Sequence, residues 1–512
     1  MNGLRVLKRA TGLIIGKDTN NIETVVDSIR TWIKPVLSEL QQFNSKWNPR
    51  TKTKEQIHVA DWWFESKPNG VVCVHRAFES KLLNIAGFKE ATKVMEPVMG
   101  EVIDVKMQDF FSYREGQDVF VNHLAKHQSP IYTRILPATM GAGKTVSALA
   151  AICKIGRKAL IIIPPSLTSE WMDSIAKFTT APKDTYAYVS GGDAIGELYN
   201  IVRDGGQVPY DITVMSINSL QSFIKLFKNA QDNFSIMEFF DRSGWGVRIV
   251  DEAHKYQHFH MLCSSLMNFD ANLFLTATLM KEYAFDAMVE NAIYPKADRC
   301  KVPKPTNHIE LISYQYEWDC WMPDCNGPMG YMHSKYEKYI IQHPRSLKSY
   351  LGMCSDMINR DFVKKWSKGD RALIFFALVD MVDAFIDMIT KQYPHLRVIK
   401  YGAGDAKDKL VEADIIISTV KKAGTGTDIP SLRYVLQTIP ISAKGENMQN
   451  IGRLRNLHHL STTFAYLWTN AVPKHFTYHT KRQDELTPLV KSRSKIKFPK
   501  ALTGRQSKSK YK

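Results

Sequence analysis

The stretch "RILPATMGAGKTVSALAAICKIG", residues 134–156, narrows the fold more than any other. An apolar, strand-like run passes through Gly141 and Gly143 into an Ala-rich run of helix-forming composition. Strand, glycine turn and helix in that order make the crossover unit of a parallel sheet. Glycines let successive backbone N–H groups curl around phosphate oxygens, and the helix N-terminus adds its dipole. The pattern G-x-x-x-x-G-K-[ST] is met with Ala138 at the first position, then Gly143, Lys144 and Thr145. In that pattern Lys144 reaches the β and γ phosphates and Thr145 ligates Mg²⁺. A plain tight turn is the alternative, and the placement between strand and helix argues against it.

The alternation continues downstream. "KALIIIP" reads as a strand and "SLTSEWMDSIAKF" as a helix, while "TYAYVS", "DITVMS", "VRIVD" and "LFLTA" are short apolar or β-branched runs. A second series begins near 371 with "RALIFFAL", the helix "VDMVDAFIDMITKQY", then "LRVIKYG", "ADIIIST", "RYVLQT", the helix "ENMQNIGRLRNL" and "TFAYLW". Near-continuous apolar strands separated by helices predict parallel sheets buried on both faces. Residues 1–108 differ, with "TVVDSIRTWIKPVLSEL" helical in spacing, "GVVCVHRAF" strand-like, and Trp32, Trp47, Trp62 and Trp63. The expected fold class is α/β, with a small α+β N-terminal domain over 1–108, parallel-sheet domains over 109–300 and 301–490, and a basic tail over 491–512. The tryptophans suit core packing or base stacking.

The second chemical site is "VRIVDEAHK", where an apolar strand ends in Asp251 and Glu252. The carboxyl end of a parallel strand is where such sheets place ligand groups. Asp251 there would hold the Mg²⁺ hydration shell, and Glu252 would position and deprotonate an attacking water. The catalytic set is therefore Lys144, Asp251 and Glu252, with ATP and Mg²⁺ as the expected ligands.

The glycine loop followed by "DEAH" resembles the DExH group of superfamily 2 helicases and translocases. The resemblance covers roughly residues 110–470, and its motifs fall in the family's order. It implies two tandem RecA-like domains that each present half of an ATP site, so that hydrolysis moves the protein along a nucleic acid. "YREGQ" resembles the Q motif, which implies that Gln117 reads adenine; Gly141 and Gly143 belong to the nucleotide loop. "IIIPPSLTSEW" resembles motif Ia and "VMSINSL" motif Ib, implying nucleic-acid contacts by Ser166 and Ser216. "TAT" resembles motif III, so Thr276 and Thr278, with His254, are implied to couple nucleotide state to grip. "ISTVKKAGTGTDIPSL" resembles motif V, with Thr419 on the nucleic-acid backbone and Gly426 and Asp428 near ATP. "QNIGRLR" resembles motif VI and implies an arginine on the γ-phosphate. The family pattern Q-x-x-G-R-x-x-R is not met, because Asn456 stands three residues after Arg453 and the next arginine is Arg455. One residue on a helix is about 100° of rotation, so Arg453 and Arg455 both remain candidates.

Composition fits this frame. Lys plus Arg number 68 against 51 Asp plus Glu, a net +17. Lys491 to Lys512 carries nine basic residues and no acidic one, which suits a polyanion or a disordered solubilising tail. Hydrophobic content is 44%, and no apolar run approaches a membrane span. Seven cysteines at irregular spacing make no disulfide framework. Cys320, Cys325 and His333 lack the second close pair that zinc usually requires. The basic opening "MNGLRVLKRATGLIIGK" contains no Ser and reads as a strand as well as a transit peptide. The expectation is cytoplasmic, in a host if phage-encoded, with no membrane partner and a monomer favoured.

The bare motor with a small N-terminal domain resembles compact phage and viral helicases of the UvsW type, and "GTGTDIPSL" also resembles motif V of poxviral transcript-release helicases. The implied partner is DNA, branched or at single-strand/double-strand junctions, with RNA as the alternative. A nucleic-acid-binding protein that uses ATP only as a switch is the reading from another class.

Overall fold

The computed structural model describes residues 100–126, 132–139, 141–227, 234–277, 279, 290–291, 293–302, 307–317, 324–327, 330–402, 405, 408–420, 429–454, 456–457 and 461–498. It also describes short pieces of the first 99 residues: 5–9, 12–15, 27, 31, 45–48, 53–56, 63–66, 71–76, 79 and 92–95. The chain divides into two compact units, 1–303 and 304–512.

Among its described residues the first unit holds two larger sheets and a two-stranded one. The N-terminal strands are β1 (Arg5–Lys8), β2 (Gly12–Ile15), β3 (Ser45–Asn48), β4 (Thr53–Gln56), β5 (Trp63–Ser66), β6 (Val71–His75) and β7 (Thr92–Met95). Five of them form a mixed sheet in the order β5-β6-β2-β1-β7, and β3 and β4 pair as a separate ladder. The helix expected around 24–40 lies largely outside the described residues, as do the side chains of all four N-terminal tryptophans.

The second sheet is wholly parallel, in the order β10-β11-β9-β12-β13-β8. Its strands are β8 (Tyr132–Pro137), β9 (Ala159–Ile163), β10 (Tyr186–Val189), β11 (Ile212–Ser216), β12 (Val247–Val250) and β13 (Ala271–Thr276). Its helices are α1 (Gln117–Leu124), α2 (Lys144–Ile155), α3 (Thr168–Phe178), α4 (Gly192–Arg203), α5 (Ile217–Phe227), α6 (Ile236–Arg242) and α7 (Gln257–Leu266). Every residue of β9, β11, β12 and β13 is buried, as expected of strands covered on both faces.

The described N-terminal strands share a core with the first parallel sheet. Val6, Leu13, Ile15, Cys73 and Val74 share one apolar cluster with Phe239, Met261 and Leu266. A Cβ on Gly12 would lie 2.9 Å from the Ser265 carbonyl oxygen, so the two backbones touch where β2 crosses α7. Arg9 donates to the Leu266 carbonyl at 3.2 Å and pairs with Asp241. The N-terminal sheet thus buries its apolar face on α7, which follows the DEAH segment.

The second unit is a seven-stranded parallel sheet. Its strands are β14 (Ile309–Gln315), β17 (Arg371–Phe376), β18 (Val398–Tyr401), β19 (Ile415–Thr419), β20 (Leu432–Gln437), β21 (Thr462–Trp468) and β22 (Ser492–Lys497), ordered β18-β19-β17-β20-β21-β14-β22. A two-stranded pair, β15 (Asn326–Gly327) and β16 (Gly330–Tyr331), precedes α8 (His333–Gln342) and α9 (Pro344–Asp361). Then come α10 (Val379–Gln392), α11 (Lys444–Ile451) and α12 (Pro473–Leu486).

Two expectations change here. The tail begins as structure, because residues 492–497 add an edge strand parallel to β14. Its Ile496, with Phe498 beyond it, packs against the core that contains Tyr314. Arg453 does not lie on a helix, since α11 stops at Ile451 and residues 452–454 form a turn. No helix among the described residues is long and apolar enough to cross a membrane, and no cluster of metal-ligating side chains occurs among them. Both α/β units carry the two-sheet parallel architecture expected from the sequence.

Candidate active site

The register of the first parallel sheet brings the candidates to one edge. Thr276 pairs with Pro137, Val250 with Ile162 and Ser216 with Ile163. The glycine loop, the acid pair, motif III and motifs Ia and Ib therefore all leave the carboxyl ends of strands, where a doubly wound sheet binds ligands.

In the glycine loop, Gly141 and Gly143 have φ of 80° and 82°, a region that L side chains enter only at a cost of about 1–2 kcal/mol. Gly143 caps α2, and Ser147 returns its hydroxyl to the Gly143 carbonyl at 2.9 Å. Lys144 is buried, with Nζ donating to the Ala138 and Thr139 carbonyls at 3.0 and 3.2 Å. The ammonium is thus held inside the curl of its own loop. Thr145 stands in the first turn of α2 and is half-buried.

Gln117 opens α1 and is buried against this loop. Its Oε1 accepts from the Arg114 N–H at 3.1 Å, and its Nε2 donates to the Gly143 carbonyl at 3.3 Å. The amide ties the YREGQ segment to the phosphate loop.

Asp251 follows β12, anchored by its N–H to the Ile162 carbonyl at 3.0 Å. The carboxylate is 7% exposed. Oδ1 accepts from the Glu252 N–H at 2.8 Å, and Oδ2 accepts from the Trp171 indole N–H at 3.0 Å. Burial, then repulsion from Glu252, raises its pKa above the ordinary carboxylate range, while Lys144 and the two hydrogen bonds oppose that rise. Glu252 sits at φ 51°, a left-handed position that is unusual for a non-glycine residue. His254 Nδ1 lies 3.0 Å from Thr276 Oγ1 and 3.3 Å from Glu252 Oε2. Burial first, then Lys255 and Lys144, lower the His254 pKa to about 4. At neutral pH the His254 ring in this contact is therefore neutral. The His254–Thr276 contact joins the acid pair to the end of β13.

These donors suit a Mg²⁺-nucleotide. The threonine hydroxyl and aspartate carboxylate are hard oxygen ligands, and two left-handed glycines with a buried lysine make an anion cradle. Glu252 Oε2 is buried, with His254 Nδ1 at 3.3 Å.

The nucleic-acid candidates fare unevenly. Ser166 is exposed in the turn Pro165–Leu167 after β9. Ser216 is 3% exposed, its Oγ is 2.8 Å from Ser219 Oγ, and it accepts the Ser219 N–H at 3.1 Å. A serine at a strand-to-helix junction satisfies the helix's first donors, which is its use here. Thr419 is half-buried at the end of β19 in the second unit. Arg453 is buried at 4% exposure after α11. That helix is pinned by Asn450 donating to Gln437 Oε1 at 3.3 Å and by Arg482 donating to Asn447 Oδ1 at 3.0 Å. Thr278, Gly426, Asp428 and Arg455, along with Cys320, lie outside the described residues.

Sequence reasoning missed Trp171. It lay in view at the end of "IIIPPSLTSEW", but its link to Asp251 spans 80 residues, and nothing local announces such a contact.

A family model described as the SNF2-related domain matches residues 56–278. The chain is 26% identical over 384 residues to the general transcription and DNA repair factor IIH helicase/translocase subunit XPB of Enterocytozoon bieneusi, covering 69% of this chain and 57% of that protein. It is 25% identical to the same subunit of Encephalitozoon cuniculi, over 69% of this chain and 51% of the relative. It is 23% identical to transcript termination protein A18 of Fowlpox virus, over 67% and 71%. The chain spans about half the length of the two XPB relatives. Among solved structures, S. cerevisiae Dbp5 bound to RNA and ADP BeF3 overlays at TM-score 0.47 and 11% identity, over 76% of this chain and 90% of that one. The matched relatives, a helicase/translocase subunit and a transcript termination protein, are thus similar to this chain over the region that gathers Lys144, Gln117, Asp251 and Glu252 at one edge of the sheet.

Proposed function

We propose that the chain is a nucleic-acid-stimulated ATPase that uses hydrolysis to move on or unwind its nucleic acid. The observation that carries this is the meeting of the glycine loop and the acid pair at one sheet edge, with the Asp251 carboxylate held on both oxygens.

The roles follow from chemistry. The loop N–H groups and Lys144 hold the triphosphate. Thr145 and Asp251 would hold Mg²⁺, which supplies charge neutralisation on the transferred phosphoryl group. Glu252 orients a water and accepts its proton. The reading assigns Arg453, or Arg455, to the charge that develops on the γ-phosphate, on the strength of the motif alone. Gln117 is assigned to the adenine on the strength of its motif. Ser166 and Thr419 are assigned to the nucleic-acid backbone, contacts that carry no sequence information. Gly426 and Asp428 complete the nucleotide set, and Thr278 the coupling set.

The finer proposal is DNA as substrate, with unwinding or branch migration at junctions, as the likeness to compact phage and viral motors suggests. The XPB relatives support DNA by name. Residues 1–108 and the basic C-terminal segment are the proposed sources of substrate choice.

The discriminating experiment is strand displacement and ATP turnover on forked DNA, single-stranded DNA, duplex DNA and RNA at one fixed ionic strength. Turnover stimulated most by forked DNA, with strand release, is expected. Stimulation by RNA alone would overturn the DNA assignment, and ATP binding without turnover on any of them would favour a nucleotide switch.

A further inference from the structure

The Asp251 carboxylate is held by two donors of different origin. One is the N–H of the next residue, Glu252, at 2.8 Å from Oδ1. The other is the indole N–H of Trp171, at 3.0 Å from Oδ2. With one hydrogen bond on each oxygen, the carboxylate cannot turn about its Cβ–Cγ bond without losing both. The first donor comes with the tight turn; only the second is a matter of side-chain choice.

Trp171 is placed to do this by the short path from β9. The turn Pro165–Leu167 leads directly into α3, and Trp171 falls at the end of the first turn of that helix. The side chain is fully buried, in the same apolar cluster as Ile163, Leu167, Ile175 and Ile249. Packing alone would be met by phenylalanine or leucine. A buried indole N–H requires an acceptor, and here the acceptor is the carboxylate of the acid pair rather than a backbone carbonyl.

We infer that Trp171 is a positioning residue of the phosphoryl-transfer site, its indole N–H locking the Asp251 carboxylate in the orientation that holds the Mg²⁺ hydration shell. This rests on the ATPase reading above and extends it to a residue outside the glycine loop and the acid pair. Residues that orient a ligand from behind commonly change metal affinity about 10–100-fold when altered.

The test uses the full chain with two replacements. In one, 3-benzothienylalanine stands at position 171, with sulfur in place of the N–H and almost the same ring; the other is Trp171→Phe. Mn²⁺ affinity of the ADP-bound protein is read by electron paramagnetic resonance, alongside kcat, KM for ATP and Tm. The expected result is Mn²⁺ affinity and kcat each lower by about tenfold, KM within about twofold, and the Tm of the isosteric protein unchanged. A benzothienyl protein that binds Mn²⁺ and turns over like wild type overturns the inference. Loss in Trp171→Phe alone, with a lowered Tm, assigns the residue to packing and overturns it as well. The Mn²⁺ arm reads the Trp171–Asp251 contact whether or not the wild type hydrolyses ATP, so failure of this inference and failure of the ATPase reading are told apart.

Discussion

Gly143 is held to glycine from two sides. Its φ of 82° disfavours any L side chain, and a Cβ there would lie 2.6 Å from Gln117 Nε2. Gly143→Ala therefore forces the loop and the buried amide apart at once. We expect at least a tenfold weaker nucleotide affinity, on the order of 1.4 kcal/mol, in a fluorescent-nucleotide titration; unchanged affinity would mean the left-handed turn is not the phosphate cradle. Lys144 and Glu252 separate binding from chemistry. Lys144→Ala removes the cation held in the loop, and near-complete loss of turnover is expected. Glu252→Gln keeps the shape of the side chain but removes the base. It should bind ATP at near wild-type affinity and lower kcat by about 10²–10⁴, as single-turnover assays would show.

The strands written most plainly in the sequence are those buried on both faces, although the partly exposed edge strands β10 and β18 are readable too. "ALIII" and "ADIII" have no polar face to confuse their reading, and both are central or near-central strands with every residue from Ala159 to Ile163 buried. The glycine loop and acid pair were legible because their chemistry is written in adjacent residues. The edge strand β22 was not. "SRSKIK" has the composition of a tail because its residues are exposed except Ile496, which is half-buried; its place is fixed by pairing with β14, at the far end of the same unit's sequence. Lysine on an edge strand blunts edge-to-edge association. Deleting residues 491–512 would strip a strand from the sheet, so charge reversal is the cleaner probe of phosphate binding. Arg493→Glu, Lys495→Glu and Lys497→Glu together should lower DNA affinity and flatten its salt dependence, by about 0.7–0.9 in the log–log slope for each phosphate no longer neutralised. An unchanged slope would mean that β22 touches no phosphate. The use of Ser216 was hidden for the converse reason: the strand-to-helix junction that makes it resemble a motif residue also engages its hydroxyl as a cap.

At the scale of the molecule, the N-terminal sheet and the first parallel sheet share a core, so substitutions in one should be felt in the other. Buried neutral histidines run through this unit. Burial, reinforced by Arg248, lowers the His75 pKa to about 3, and burial with two lysines lowers that of His254 to about 4. Both groups take up a proton near pH 6.5 when unfolded but not when folded. Their stabilising contribution is therefore complete above about pH 6.5 and declines as pH falls toward the folded values. The raised pKa of Asp251 acts in the opposite sense and favours the folded state on acidification. With two histidines against it, the melting temperature should fall from pH 7 to pH 5, by an amount corresponding to about 1–2 kcal/mol per histidine; a melting temperature that rises over that interval would show the histidines to be solvated.

The most direct measurement is steady-state ATP turnover by the full chain, with and without DNA, for wild type and Lys144→Ala side by side. Turnover that rises severalfold with DNA in wild type and vanishes in Lys144→Ala is the predicted result. Equal turnover by the two proteins, or a wild-type rate indifferent to any nucleic acid, would contradict a nucleic-acid-driven ATPase built on this loop.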